Sequence, residues 1–164
     1  MNFDKLEFLS AELGELLFER KLFFTSAESC TGGLVGQSVT GVPGSSRWYG
    51  AGFITYSNIA KINILGVQKE TLNNFGAVSE EVVKEMVKGA LNKSGAQIGV
   101  AISGIAGPGG GSEQRPVGTV CIAWLLEGKE IVSSTEHFLG NRNEVRWASV
   151  ERALVHSIRL IKEN

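Results

Sequence analysis

Histidine and cysteine are scarce, with two of each in 164 residues. Cys30 and Cys121 lie far apart in unlike contexts, a glycine turn and the apolar run GTVCIAWLL. Neither a disulfide framework nor a CxxC metal site is expected, and both thiols read as free. His137 falls in a strand-like segment and His156 in a closing helical pattern, each far from any glycine turn. A Ser-His-Asp triad is therefore not expected, and both imidazoles read as satisfied or solvated. No His/Cys/Asp/Glu group has zinc-ligand spacing, so no metal is expected. Charge of one sign is also lacking: 16 Lys and Arg stand against 17 Asp and Glu, for a net charge of -1. The basic residues are scattered rather than drawn into a stripe, which argues against nucleic acid as a partner. No apolar run approaches the length of a membrane span and no basic-then-apolar leader opens the chain. A soluble, cytoplasmic protein without a membrane partner is the expectation, folded as one domain over residues 1–164. Internal repeats, linkers and low-complexity tails are missing as well.

Glycine is plentiful, at 21 residues, and it punctuates a regular alternation of patterns. Leu6, Leu9, Leu13, Leu16 and Leu17 recur at helical spacing and predict a first helix over roughly residues 3 to 20. KLFFTSAES reads as a short buried strand, and TGGLVGQSVTGVPG as a helix that stops at the Gly41 to Gly44 cluster. YGAGFITYS is of strand type, and NIAKINILG follows as a helix with Asn58 placed as its N-cap. Ser79 caps a longer helix with Glu80 and Glu81 in its first turn and Val82, Val83, Met86, Val87, Ala90 and Leu91 on its buried face. AQIGVAISG reads as a fully buried strand leading into the loop IAGPGGGSEQRPVG. TVCIAWLLEGKEIVSSTEHFLG then has the form of a hairpin turning near Glu127 and Gly128. A closing helix carries Trp147, Val150, Leu154, Ile158 and Ile161 in one stripe. Strands alternating with helices, plus one hairpin, predict an α/β fold: a three-layer α/β/α sandwich with a mixed, mostly parallel sheet.

In such folds ligands collect beyond the carboxyl ends of the strands. Three polar junctions fall there: AESCTGG, TYSNIAK and ISGIAGPGGG. Taken singly each has a bland reading. A serine before a helix is usually a cap, and GPGGG is more often a flexible connection than a phosphate cradle, matching neither GxxxxGK[ST] nor GxGxxG. Three strand ends carrying hydroxyls with glycine in one chain favour a site. Ser29 would have the amides of Cys30, Thr31, Gly32 and Gly33 around it, a setting that stabilises an oxyanion or a phosphate. It needs a base. Lys61, near the start of the helix after TYSN, is the remaining candidate, since a helix N-terminus lowers a lysine pKa. To act near neutral pH that pKa must fall from ~10.4 by about three units. Spacing alone favours a solvated surface lysine instead. Cys30 is the rival nucleophile, ranked below Ser29 because no histidine is placed to pair with it.

Five blocks go further: TSAESCTGGLVG, VPGSSRWYGAGFITYSNIAKINILGV, FGAVSEEVVKEMVKGAL, AISGIAGPGGGSEQRPVGTVCIAW and FLGNRNEVRWASVERAL. In this order, over nearly the whole chain, they resemble the C-terminal domain of the competence/damage-inducible CinA proteins, whose stand-alone members are nicotinamide mononucleotide deamidases. Larger members add an N-terminal molybdopterin-binding-like domain, so the chain looks like the single-domain form. The resemblance implies hydrolysis of the carboxamide of nicotinamide mononucleotide to nicotinate mononucleotide and ammonia, in pyridine-nucleotide salvage, without cofactor or metal. Its serine matches Ser29 and its lysine matches Lys61. Tyr56 would orient the pair or relay a proton, and Glu28 and Thr31 would shape or polarise the pocket beside Cys30, Gly32 and Gly33. Ser103 and Gly104 match a junction that holds substrate. The phosphate has three chemically suitable positions: Thr31 to Gly33, Ser46 with Arg47, and Arg142. SEQRP, with Arg115 before Pro116, is the variable spot and leaves the matched residues intact. A homo-oligomer, a dimer, is implied by resemblance only. The alternative is a non-catalytic nucleotide-binding or interaction module of the same type; an amidase for another pyridine or nucleotide amide is a third reading.

Overall fold

The structure, a computed structural model, describes residues 3–164. Helix α1 (Phe3–Arg20) buries Leu6, Leu9, Leu13 and Leu17 along the stripe that the spacing predicts. Strand β1 (Phe24–Glu28) is buried at every position, as a strand flanked on both edges and covered on both faces must be. Helix α2 (Leu34–Thr40) ends at the glycine cluster, and a short 3-10 turn (Ser45–Arg47) leads into β2 (Tyr49–Ile54). Helices α3 (Asn58–Leu65), α4 (Lys69–Phe75) and α5 (Glu80–Ser94) follow, then β3 (Ile98–Gly104), β4 (Thr119–Leu126), β5 (Val132–His137) and α6 (Arg142–Lys162). The sequence pattern left α4 unassigned. It also placed the cap of α3 one residue late: Ser57 holds the extended backbone of an N-cap and its Oγ accepts from Ala60 N at 3.1 Å, so Asn58 is the first helical residue.

The five strands lie in the order β2-β1-β3-β4-β5. β1 runs parallel to both β2 and β3, whereas β3–β4 and β4–β5 are antiparallel. The expected predominance of parallel pairing is thus corrected to two parallel and two antiparallel pairs. Parallel neighbours need a helical crossover, and helices lie in the connections from β1 to β2 and from β2 to β3; the loop over residues 105–118 and the turn after Leu126 bring the chain straight back.

Pleat alternation sorts the core into two halves. Phe24, Val100, Ile102, Ile122 and Trp124 pack with α1, α2 and α6, while Ala27, Ala101, Cys121 and Ala123 pack with α3, α4 and α5. From β1 the chain passes first to β2 on one side and later to β3 on the other. A sheet whose connections diverge in this way leaves a crevice at the carboxyl end of the strand from which they diverge, and that strand is β1.

Candidate active site

Ser29 is the first residue beyond β1, and its amide still donates to Ile102 O at 3.0 Å. The alternation that sends Glu28 toward α2 turns Ser29 toward α3. There Lys61 Nζ stands 3.0 Å from Ser29 Oγ and donates to Thr55 O at 2.8 Å. Lys61 is only 1% exposed and Ser29 8% exposed, so the two groups meet away from bulk water. Burial holds the Lys61 pKa below its ordinary value because the charged form loses hydration, and the nearby Cys30 thiol opposes this weakly by favouring the cation. No carboxylate forms an ion pair with Lys61 among the described residues. An amine so placed gives up its proton more readily than a solvated lysine.

Glu28 is the buried anchor of the turn. Its carboxylate, 2% exposed, accepts from the amides of Gly33 (3.0 Å), Val35 (3.1 Å) and Gly36 (3.0 Å), closing the open start of α2. Ser26 Oγ, which bonds Tyr49 Oη at 3.0 Å, supports it at 3.4 Å. Gly32 and Gly33 carry φ of 60° and 97°, a left-handed pair that suits glycine, and a Cβ on Gly33 would meet Ile54 Cδ1 at 2.9 Å. Gly32 N donates to Ser29 O at 3.0 Å. Of the four amides expected to face an oxyanion, those of Gly32 and Gly33 are therefore engaged. The Cys30 amide leans on its own thiol, and the Thr31 amide has no acceptor among the described residues. The Cys30 thiol is buried in the α2-side core, and burial raises its pKa to about 11, so it stays protonated at neutral pH. His156 packs its ring on Trp124 at 4.3 Å and His137 ends β5, so neither approaches Ser29.

Around this pair the other expected residues separate into near and far. Tyr56 follows Thr55 and is 61% exposed; its Oη accepts from Arg142 Nη2 at 3.1 Å, and Arg142 Nη1 reaches Gly107 O at 2.8 Å. Arg142 at the start of α6 thus ties the junctions after β2 and β3 together. Ser103 is buried and its Oγ donates to Ala77 O at 2.7 Å, while Gly104 lies against Val120 with no room for a Cβ. Ser46 and Arg47 lie elsewhere. They precede β2, whose start pairs with Phe24, so they sit at the amino edge of the parallel strands, about 17 Å from Ser29 at ~3.3 Å per residue. Arg47 caps the Phe18 ring at 4.4 Å and bonds Gly44 O. Arg146, which the sequence reading passed over, donates to Thr31 O at 2.8 Å. Its signal was the i,i+4 spacing from Arg142 in RNEVR, which puts both guanidinium groups on one face of α6. Among the described residues no three His, Cys, Asp or Glu side chains converge to hold a metal ion.

A family model described as the CinA C-terminal domain matches residues 6–161. The chain belongs to the CinA C-terminal domain family. It is 43% identical over 164 residues to the nicotinamide-nucleotide amidohydrolase PncC of Enterobacter agglomerans, covering 100% of both chains. It is 55% identical over 121 residues to a CinA-like protein of Chloroherpeton thalassium. The chain spans 29% of that relative and 38% of a longer one from Symbiobacterium thermophilum, so it corresponds to one portion of such proteins. Among solved structures, the competence/damage inducible protein CihA from Agrobacterium tumefaciens superposes with a TM-score of 0.93 at 41% identity, covering 95% of each chain.

Proposed function

We propose that this CinA-family chain hydrolyses the carboxamide of nicotinamide mononucleotide to nicotinate mononucleotide and ammonia by a Ser/Lys mechanism. The observation that carries the reading is the buried contact of Lys61 Nζ with Ser29 Oγ at 3.0 Å; the full-length likeness to a nicotinamide-nucleotide amidohydrolase supplies the substrate class. Neutral Lys61 takes the Ser29 proton as Oγ attacks the carboxamide carbon. The Thr31 amide, without an acceptor among the described residues, is suited to the developing oxyanion. The C–N bond then breaks, the proton on Lys61 passes to the leaving nitrogen, and ammonia departs. Water adds to the acyl-enzyme with Lys61 again accepting a proton, and Ser29 is restored as the acid leaves. A pyridinium ring withdraws electrons from its carboxamide, which lowers the activation the protein must supply.

Arg142 and Arg146, one helical turn apart, are suited to the substrate phosphate; Arg47, at the other edge of the sheet, is not. Tyr56, hydrogen-bonded to Arg142, is suited to relay between the phosphate end and the reacting pair. The test is ammonia release by the purified protein from the mononucleotide, the riboside, free nicotinamide and the dinucleotide. Ser29→Ala is expected to keep the fold and lower turnover of the mononucleotide by about 10³-fold or more, with Cys30→Ala costing far less. The opposite ranking in folded variants would make the protein a thiol amidase, and binding of the mononucleotide without turnover would make it a non-catalytic module.

A further inference from the structure

Lys61 Nζ has one bond to carbon and three other tetrahedral directions. One points to Ser29 Oγ and one to Thr55 O, at 3.0 and 2.8 Å. Whether the amine is neutral or charged, only the direction toward Ser29 alternates between lone pair and N–H; the third always carries an N–H. In a side chain 1% exposed that N–H needs an acceptor, since an unmet buried donor is costly. No third partner of Nζ is bonded among the described residues.

The residue whose carbonyl accepts from Nζ also carries a buried oxygen that lacks a partner. Thr55 is 0% exposed, and its Oγ1 has no hydrogen-bond partner. The β1–β2 ladder runs past its last paired residues, Glu28 and Ile54, because Thr55 N donates to Glu28 O at 2.8 Å. That register sets Thr55 beside Ser29. Ile54 faces the α2 side, against Gly33, so alternation turns the Thr55 side chain to the α3 side, where Lys61 enters. Thr31 Oγ1 is also buried without a partner, but its residue turns its carbonyl to Arg146 of α6, on the opposite face.

We propose that Thr55 is a positioning residue that holds Lys61 Nζ with both its main-chain carbonyl and its hydroxyl, leaving the direction toward Ser29 as the only one that gains or loses a proton. With Oγ1 turned to the third N–H, the lone pair would be fixed on Ser29 Oγ. The inference rests on the Ser/Lys reading above. The Cys30 thiol is the titratable group whose charge acts on Lys61; Glu28 and Arg146 in turn act on that thiol, and Tyr56, next to Thr55, bonds Arg142. From α5, Glu85 bonds Gln68 N and Thr71 beyond the far end of α3, and Lys88 lines the groove at Leu65 and Gly66.

The experiment compares wild type, Thr55→Val, Thr55→Ser and Lys61→Ala. Valine keeps the β-branched shape and removes the acceptor. It is expected to lower kcat for the mononucleotide by 10- to 100-fold, on the order of one lost buried hydrogen bond or two, with KM within about twofold. Because an acceptor favours the ammonium over the amine, its loss also moves the acid limb of kcat/KM to lower pH. A nitrogen-15 NMR titration of Lys61 in the resting protein should show the same shift without substrate. Thr55→Ser should restore rate and limb to within about threefold, on the same grounds. If Thr55→Val does not fold, Thr55→Ala, read by the NMR titration, takes its place. A valine or alanine variant with the wild-type Lys61 titration and rate overturns the proposal while Lys61→Ala remains inactive. An active Lys61→Ala with an unchanged limb overturns the Ser/Lys reading, and with it this one.

Discussion

A carboxylate sealed from water is stable only when hydrogen bonds replace its hydration, and Glu28 takes three, from the amides of Gly33, Val35 and Gly36 at the head of α2. Because the next residue is Ser29, the same bonds fix where its hydroxyl stands. Glu28→Gln keeps the shape but replaces one acceptor oxygen with an NH2 group that faces amide donors. A loss of about 2–4 kcal/mol in stability is expected, the order for breaking buried charge-assisted bonds. Thermal melts and urea titration check it, and kcat should fall with KM little changed. A melting temperature equal to wild type would mean that the carboxylate serves substrate rather than the turn. At this scale the sequence was partly legible. Ser29 stood out because a strand, a hydroxyl and two glycines coincide, but nothing in AESCTGG tells a buried anchor from a pocket carboxylate. That difference depends on which way the strand pleat faces.

Among the elements, α3 carries Lys61 and is seated by α5. The backbones approach so closely at Gly89 that a Cβ there would run into Leu65 O. Gly89→Ala adds only a methyl group and raises intrinsic helix propensity, yet it must push α3 away from α5. A net loss of about 1–3 kcal/mol is expected from overpacking, together with a fall in kcat as Nζ moves off Ser29. Urea titration with steady-state kinetics checks this, and a variant more stable than wild type would show that α3 does not depend on the contact. The helical period made α1, α5 and α6 readable, since long amphipathic stripes repeat several times. α4 escaped because its seven residues expose most of their length and bury only Leu72. Nothing in the sequence singles out Gly89, because close approach of two helices leaves no trace in either pattern alone.

For the whole molecule, a buried lysine lowers stability by an amount that depends on pH. The pKa of Lys61 lies below its unfolded value of 10.5 in the folded state. As pH falls below 10.5 the unfolded chain takes up a proton that the folded chain refuses, so the penalty grows until the folded pKa is reached and is constant below it. Wild-type stability should therefore rise with pH through that window by more than the stability of Lys61→Met, and the melting-temperature difference between the two should widen in favour of the variant as pH is lowered. Equal slopes would mean that Lys61 folds with its proton. What the sequence by itself determined was the alternation of strands and helices and the three polar junctions, because periodicity and turn chemistry are local. Tertiary structure alone decided the rest. Lys61 reads as a solvated lysine by spacing, and only the seating of α3 against β1 and α5 puts it at 3.0 Å from Ser29. Arg47 and Arg142 read as equal candidates for a phosphate, and parallel pairing of β1 with β2 sends Arg47 to the opposite edge while Arg142 joins Tyr56. The balance of parallel and antiparallel pairs was likewise hidden, since strand direction follows from where a connection returns and not from the residues of the strand.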